Sequence, residues 1–129
     1  MEDSEINKMK VSAVILAGGM GKRLGLNIPK ALVGINGKTL IDYQIQWLNS
    51  YGITDINIAS GYKSQKIISH VKKKGYNCKF TIEKEPLGTA GGLKKSLKNL
   101  VYDSLIVANV YDNFWNCTEV SDMMIKRFL

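Results

Sequence analysis

The chain has little cysteine, proline or histidine: Cys78 and Cys117, Pro29 and Pro86, and His70 alone among 129 residues. Two distant cysteines cannot build a disulfide framework or a metal cage, so free thiols in a reducing compartment are expected. No apolar run approaches the length that spans a bilayer. The start, Met1 to Lys8, is polar and acidic where a secretory leader would be basic and then apolar. A cytoplasmic protein with no membrane partner is therefore expected, and Asn116-Cys117-Thr118 is an incidental match to a glycosylation pattern. No repeat, low-complexity stretch or linker interrupts the chain. Negative charge is also scarce, with 18 Lys and Arg against 11 Asp and Glu giving +7. That balance suits an anionic small ligand or a nucleic acid. The densest basic run, Lys72-Lys73-Lys74, ends a predicted helix and is read as complementing its dipole. Aromatic residues are not interleaved on a basic face, so nucleic acid is not an expected partner.

What is present alternates between two patterns. Val11 to Leu16 is an apolar run ending in glycines, the mark of a buried parallel strand feeding a loop. Ala31 to Ile35 reads as a brief extended piece closed by Asn36-Gly37. Thr39 is placed to cap a helix whose apolar face includes Leu40, Ile41, Ile45 and Leu48 and which Gly52 stops. Asp55 to Ala59 is a second strand, followed by a helix capped by Ser64, running to about Lys74 and stopped by Gly75. Asn77 to Ile82 is a third strand, Thr89 to Leu100 a helix, and Ser104 to Ala108 a fourth strand. A last helix is expected from about Thr118 to Phe128. Residues 1–10 form a polar extension, and 11–129 form one α/β domain, a mainly parallel sheet with helices on both faces and right-handed crossovers. In such sheets ligands bind beyond the carboxyl ends of the strands. That rule gathers the loops Ala17–Pro29, Ser60–Lys63, Glu83–Gly88 and Asn109–Phe114 at one edge.

The first of these loops carries the chemistry. The dinucleotide fingerprint fails because, counted from Gly19, its third glycine falls on Leu24. A P-loop ending in Gly37-Lys38-Thr39 fails because its first glycine falls on Leu32. In Gly18-Gly19-Met20-Gly21 the lack of β-carbons lets the backbone curl round a polyphosphate and offer amide donors. Arg23 can fork across two phosphate oxygens, and Lys30 supplies a point charge. A plain glycine turn beside two solvated cations is the alternative. His70, within a lysine-bearing helix, reads as a surface residue.

Leu16-Ala17-Gly18-Gly19-Met20-Gly21-Lys22-Arg23-Leu24, then Pro29-Lys30-Ala31-Leu32, then Glu85-Pro86-Leu87-Gly88-Thr89-Ala90-Gly91-Gly92 together resemble the sugar-1-phosphate nucleotidylyltransferases. The resemblance implies a Rossmann-like fold of the nucleotide-diphospho-sugar transferase type and transfer of a nucleotidyl group from an NTP to a sugar 1-phosphate. The products would be an NDP-sugar and pyrophosphate, with Mg²⁺ as cofactor. On it, Leu16 and Ala17 lead into Gly18, Gly19 and Gly21, which wrap the triphosphate. Arg23 holds the departing pyrophosphate, and Lys30 neutralises charge on the α-phosphate and the sugar phosphate. Pro86, Leu87 and Gly88 pass beneath the base. Glu83 stands where the family often has a polar base-reading side chain, a satisfied strand-end carboxylate being the alternative; Thr89 has a capping role open to it.

The sequence departs from that family at three points. The fourth strand of relatives ends in Asn-Gly-Asp, whose aspartate binds metal, whereas here Asn109-Val110-Tyr111-Asp112 displaces it by one position. Asp112 either remains the ligand through loop adjustment or turns away. Lys22 replaces a small hydroxyl residue. Relatives also continue past the equivalent of Leu129 with segments that hold the sugar, so the domain is expected to be C-terminally truncated, with self-association through uncovered surface. A non-catalytic nucleotide-binding or regulatory remnant is the competing expectation. The Glu85 to Gly92 segment looks most like the hexose and heptose 1-phosphate branches.

Overall fold

The computed structural model describes residues 10–18, 27–85 and 88–109. The expected extension at 1–9, the last helix, and Gly19, Gly21, Arg23, Pro86, Leu87, Asp112 and Cys117 lie outside the described residues.

Four strands form a parallel sheet: β1 (Val11–Leu16), β4 (Asp55–Ser60), β5 (Lys79–Ile82) and β6 (Ser104–Asn109). Their order is β5-β4-β1-β6, with β1 pairing both β4 and β6. A central parallel strand is covered on both faces, which is why Ser12 to Ile15 are all buried. Between the sheet strands run α1 (Leu40–Ser50), α2 (Ser64–Lys73) and α3 (Gly88–Leu97). The chain steps outward from β1 through β4 to β5, then returns past β1 to β6. With right-handed crossovers that reversal carries α3 to the face opposite α1 and α2.

The packing bears this out. Ala13 and Ile15 of β1, Ile56 and Ile58 of β4 and Ile106 of β6 join Leu40, Ile41, Ile45 and Leu48 of α1 and Ile67 and Val71 of α2 in one core. Each isoleucine removed from water stabilises the fold by about 1.5–3 kcal/mol. The other face is held differently. Asn57 Nδ2 donates to Thr81 Oγ1 at 3.1 Å, Thr81 and Ser96 hydroxyls meet at 3.2 Å, and Ser96 Oγ donates to the Gly92 carbonyl at 2.8 Å. Asn99 Nδ2 closes the chain of bonds on Asn57 Oδ1 at 2.8 Å. Buried amides and hydroxyls satisfied in this way cost little and fix geometry.

Three local readings need correction. Only Gly34–Ile35 (β2) of the expected extended piece is strand, paired antiparallel with Lys38–Thr39 (β3). Lys30–Leu32 coils into a 3-10 turn that buries Ala31, started by Pro29 with φ −58°. Asn36 and Gly37 have φ of 53° and 83°, the left-handed pair that a two-residue hairpin turn requires. Ser64 is the first residue of α2 rather than its cap; Lys63 occupies the cap position, with no side-chain cap bond. The third expected helix is also shorter, ending at Leu97.

His70 is not a free surface residue either. Its Nε2 donates to Asp42 Oδ1 at 2.9 Å, with the Asp42 side chain almost wholly buried. Asp42 belongs to the α1 capping box, in which its N–H donates to Thr39 Oγ1 and its Oδ2 accepts from the Thr39 N–H. The imidazole therefore fastens α2 to the start of α1.

Candidate functional site

Register fixes where the strands end. Leu16 of β1 is level with Ala59 of β4 and Asn109 of β6, and Ser60 of β4 is level with Ile82 of β5. Backbone bonding continues one residue further: the Ala17 N–H donates to the Ala59 carbonyl and the Glu83 N–H to the Ser60 carbonyl, both at 2.7 Å. Ala17 with Gly18, Gly61 and Glu83 thus leave the sheet at one edge, as the parallel order demands. Strand order reverses between β1 and β6, which makes this edge the crevice where open α/β sheets take ligands.

Glu83 is the organising side chain of this edge. A β-carbon added to Gly92 would clash with its Oε1, and one added to Gly18 would lie 3.9 Å from its Oε2. A β-carbon on Gly61 would stand 3.1 Å from the Glu83 carbonyl oxygen. The carboxylate consequently rests between the first glycine motif and the Gly91-Gly92 end of the third, which the fold brings together from distant parts of the chain. Gly92 admits it where a larger residue would push it aside. Lys95 Nζ, donating to the Ile82 carbonyl at 2.6 Å, ties α3 to the strand from which Glu83 emerges.

Lys30 opens the 3-10 turn and is half-buried, its backbone closed by the Val33 N–H donating to the Lys30 carbonyl at 3.1 Å. Gly88 is the first residue of α3, and Thr89 lies inside that helix rather than at its cap. Beyond these, Tyr62 and Lys63 reach from the loop after β4 to Asn27, just ahead of Lys30. Sequence reasoning placed that loop at the edge but singled out neither side chain, since the bonds join residues remote in sequence. Among the described residues no three His, Cys, Asp or Glu side chains come together to hold a metal ion.

A parallel sheet of this order, with a glycine-bordered crevice at its carboxyl edge and a lysine beside it, defines a nucleotidyltransferase-type α/β domain. The sequence pattern of the MobA-like NTP transferase domain matches residues 13–110, and the chain belongs to that family. It is 33% identical over 104 residues to the D-glycero-alpha-D-manno-heptose 1-phosphate guanylyltransferase of Aneurinibacillus thermoaerophilus, spanning 77% of this chain and 45% of that protein. With the mannose-1-phosphate guanyltransferase of Aspergillus oryzae it shares 42% identity over 100 residues, 72% of this chain and 28% of the relative. Among solved structures, HddC from Yersinia pseudotuberculosis complexed with GMP-PN superposes with a TM-score of 0.70 at 33% identity. That match covers 87% of this chain and 54% of the HddC chain. The resemblance to sugar-1-phosphate nucleotidylyltransferases and the Rossmann-like class are thus borne out, as is the shortness of the chain relative to its relatives. No helix among the described residues is long and apolar enough to cross a membrane.

Proposed function

We propose that the chain binds GTP at the carboxyl edge of its sheet and forms the nucleotide half of a site that transfers guanylyl to a hexose or heptose 1-phosphate. The observation that carries this reading is the placement of the Glu83 carboxylate between Gly18 and Gly92. A carboxylate accepts only, and its two oxygens match the two neighbouring donors, N1–H and the N2 amine, on the edge of guanine. Adenine and cytosine offer no such pair of donors. The guanylyltransferase relatives support the choice of base and the class of sugar phosphate.

In this reading Gly18, Gly19 and Gly21 direct backbone amides at the triphosphate, and Arg23 takes the β- and γ-phosphates. Lys30 offsets charge on the α-phosphate and on the incoming sugar phosphate, while Pro86, Leu87 and Gly88 lie under the base. A phosphate oxygen of the sugar phosphate attacks the α-phosphorus as the bond to the bridging oxygen breaks, and pyrophosphate leaves with the electron pair. No general base is needed because the nucleophile is already anionic, so positioning and charge complementarity lower the barrier. Mg²⁺ would arrive with the nucleotide, and Asp112 is the side chain proposed to meet it.

The test incubates the protein with each NTP and a panel of hexose and heptose 1-phosphates, reading pyrophosphate and NDP-sugar by mass spectrometry. GTP should be preferred, EDTA should stop turnover and added Mg²⁺ should restore it. Glu83→Gln, which sets an amide donor against the guanine edge, should lower kcat/KM for GTP by about tenfold to a hundredfold, the scale of one mismatched hydrogen-bonding pair. Tight GTP binding without product would instead identify a non-catalytic nucleotide-binding protein, and failure to bind any NTP would remove the reading.

A further inference from the structure

Asn27 is gripped by the loop between β4 and α2. The Lys63 ammonium donates to the Asn27 carbonyl oxygen at 2.7 Å and to its Oδ1 at 3.0 Å, and the Tyr62 hydroxyl donates to the same Oδ1 at 2.9 Å. Lys63 Nζ lies 5.4 Å from the Tyr62 ring centroid, so ring and ammonium brace one another. Lys63 holds this pose with φ of 49°, a left-handed backbone that disfavours a side chain. The start of α2 gives no reason for a lysine here, because the cap position makes no side-chain bond to the helix. Asn27 does give one.

Only Ile28 and Pro29 separate Asn27 from Lys30. Ile28 packs against the core, and Pro29 has φ of −58°. After Lys30 the chain is locked, with Ala31 fully buried and the Leu32 N–H donating to the Pro29 carbonyl at 2.9 Å. Before Lys30, Ile28 lies against the core and Pro29 is buried, and the grip on Asn27 is the polar fastening of the segment. The backbone that carries Lys30 is therefore held at both ends, once by local turn bonds and once by two side chains from another loop.

We propose that Tyr62 and Lys63 are positioning residues for nucleotidyl transfer, clamping Asn27 so that Lys30 is presented to the phosphates in one place. This rests on the role given to Lys30 above. The clasp touches no reacting atom; it removes the freedom of a short segment whose displacement would carry the Lys30 ammonium away from the α-phosphate.

Lys63→Gly tests it cleanly, since glycine accepts the left-handed backbone while the ammonium is lost, so the melting temperature should hold. With GTP and a hexose or heptose 1-phosphate, Lys63→Gly should lower kcat about tenfold and leave KM for GTP within about twofold, the pattern of a misplaced group rather than a lost binding contact. Lys63→Arg, which keeps the donors, should recover most of that loss, and Tyr62→Phe should show a smaller fall. Hydrogen exchange at the Ile28 and Lys30 amides should quicken in Lys63→Gly without nucleotide present. An active wild type alongside a Lys63→Gly variant of unchanged kcat would overturn the proposal, as would unchanged exchange at Ile28 and Lys30. A wild type that turns over no NTP would remove the reading of Lys30 instead, and exchange alone then decides whether the clasp holds its segment.

Discussion

Close approach at single residues decides most of what this edge can do. Gly92 leaves room for a carboxylate oxygen where any other residue would carry a β-carbon. Gly92→Ala therefore has to displace Glu83, and because residue 92 sits within α3 the alanine otherwise favours the helix. We expect a melting temperature within a few degrees of the parent with GTP affinity lowered about tenfold or more, a separation of stability from binding measurable by calorimetric titration. That Gly91-Gly92 belonged to a nucleotide motif was legible only through resemblance. That the glycine loop and the loop at Glu83 share one edge was legible from the strand-helix alternation, but that the Glu83 carboxylate lies against Gly92 was not, since a pattern along the chain does not say which side chains touch across an edge. Cys78 shows the same limit from the other side: composition indicated a free thiol, and its half-buried surroundings push the thiol up to about 11.

At the scale of elements, the start of α1 is tied by one carboxylate to its own cap and to α2. Burial by itself would raise the pKa of Asp42, but the Thr39 N–H, His70 and the Thr39 hydroxyl together hold it below 3.8. A carboxylate lowered in the folded chain contributes stability that is present above its unfolded pKa and lost as pH falls through the lower folded value. The Asp42 contribution to chemical unfolding midpoints should thus be lost as the pH falls below about 3.8, with Asp42→Asn flattening the acid limb. Thr39 as a cap was readable from its place before an apolar face. His70 was not, because a lysine-bearing helix reads as a solvated surface unless the buried partner on another helix is known. The left-handed Lys63 escaped for a related reason, since what it touches, Asn27, is remote in sequence, and the 3-10 turn at Lys30–Leu32 escaped because a single turn leaves no periodicity to read.

For the molecule as a whole, stability is concentrated on the face between the sheet and α1 with α2. Ile58 is fully buried there, between β1 and β5 in the sheet. Ile58→Ala should cost about 2–5 kcal/mol of unfolding free energy, read from urea midpoints at constant slope. The parallel sheet was legible from the strand-helix alternation and from the apolar run of β1, which is buried on both sides. The opposite face was less so, since the residues that join it to α3 are Asn57, Thr81, Ser96 and Asn99, types that sequence patterns assign to surfaces.

That second face behaves less like oil than like a dowel joint. An apolar helix can slide a fraction of a turn and exchange one set of contacts for another, but a helix pegged by an amide, two hydroxyls and a second amide in series has a single seat. Any slip would draw Ser96 away from Thr81 and Asn99 away from the Asn57 Oδ1. The end of α3 that meets Glu83 is therefore indexed to the sheet as a key is to its wards. A change of preferred base in such a scaffold has to come from swapping the side chains at the edge, because the helix behind them has nowhere else to go.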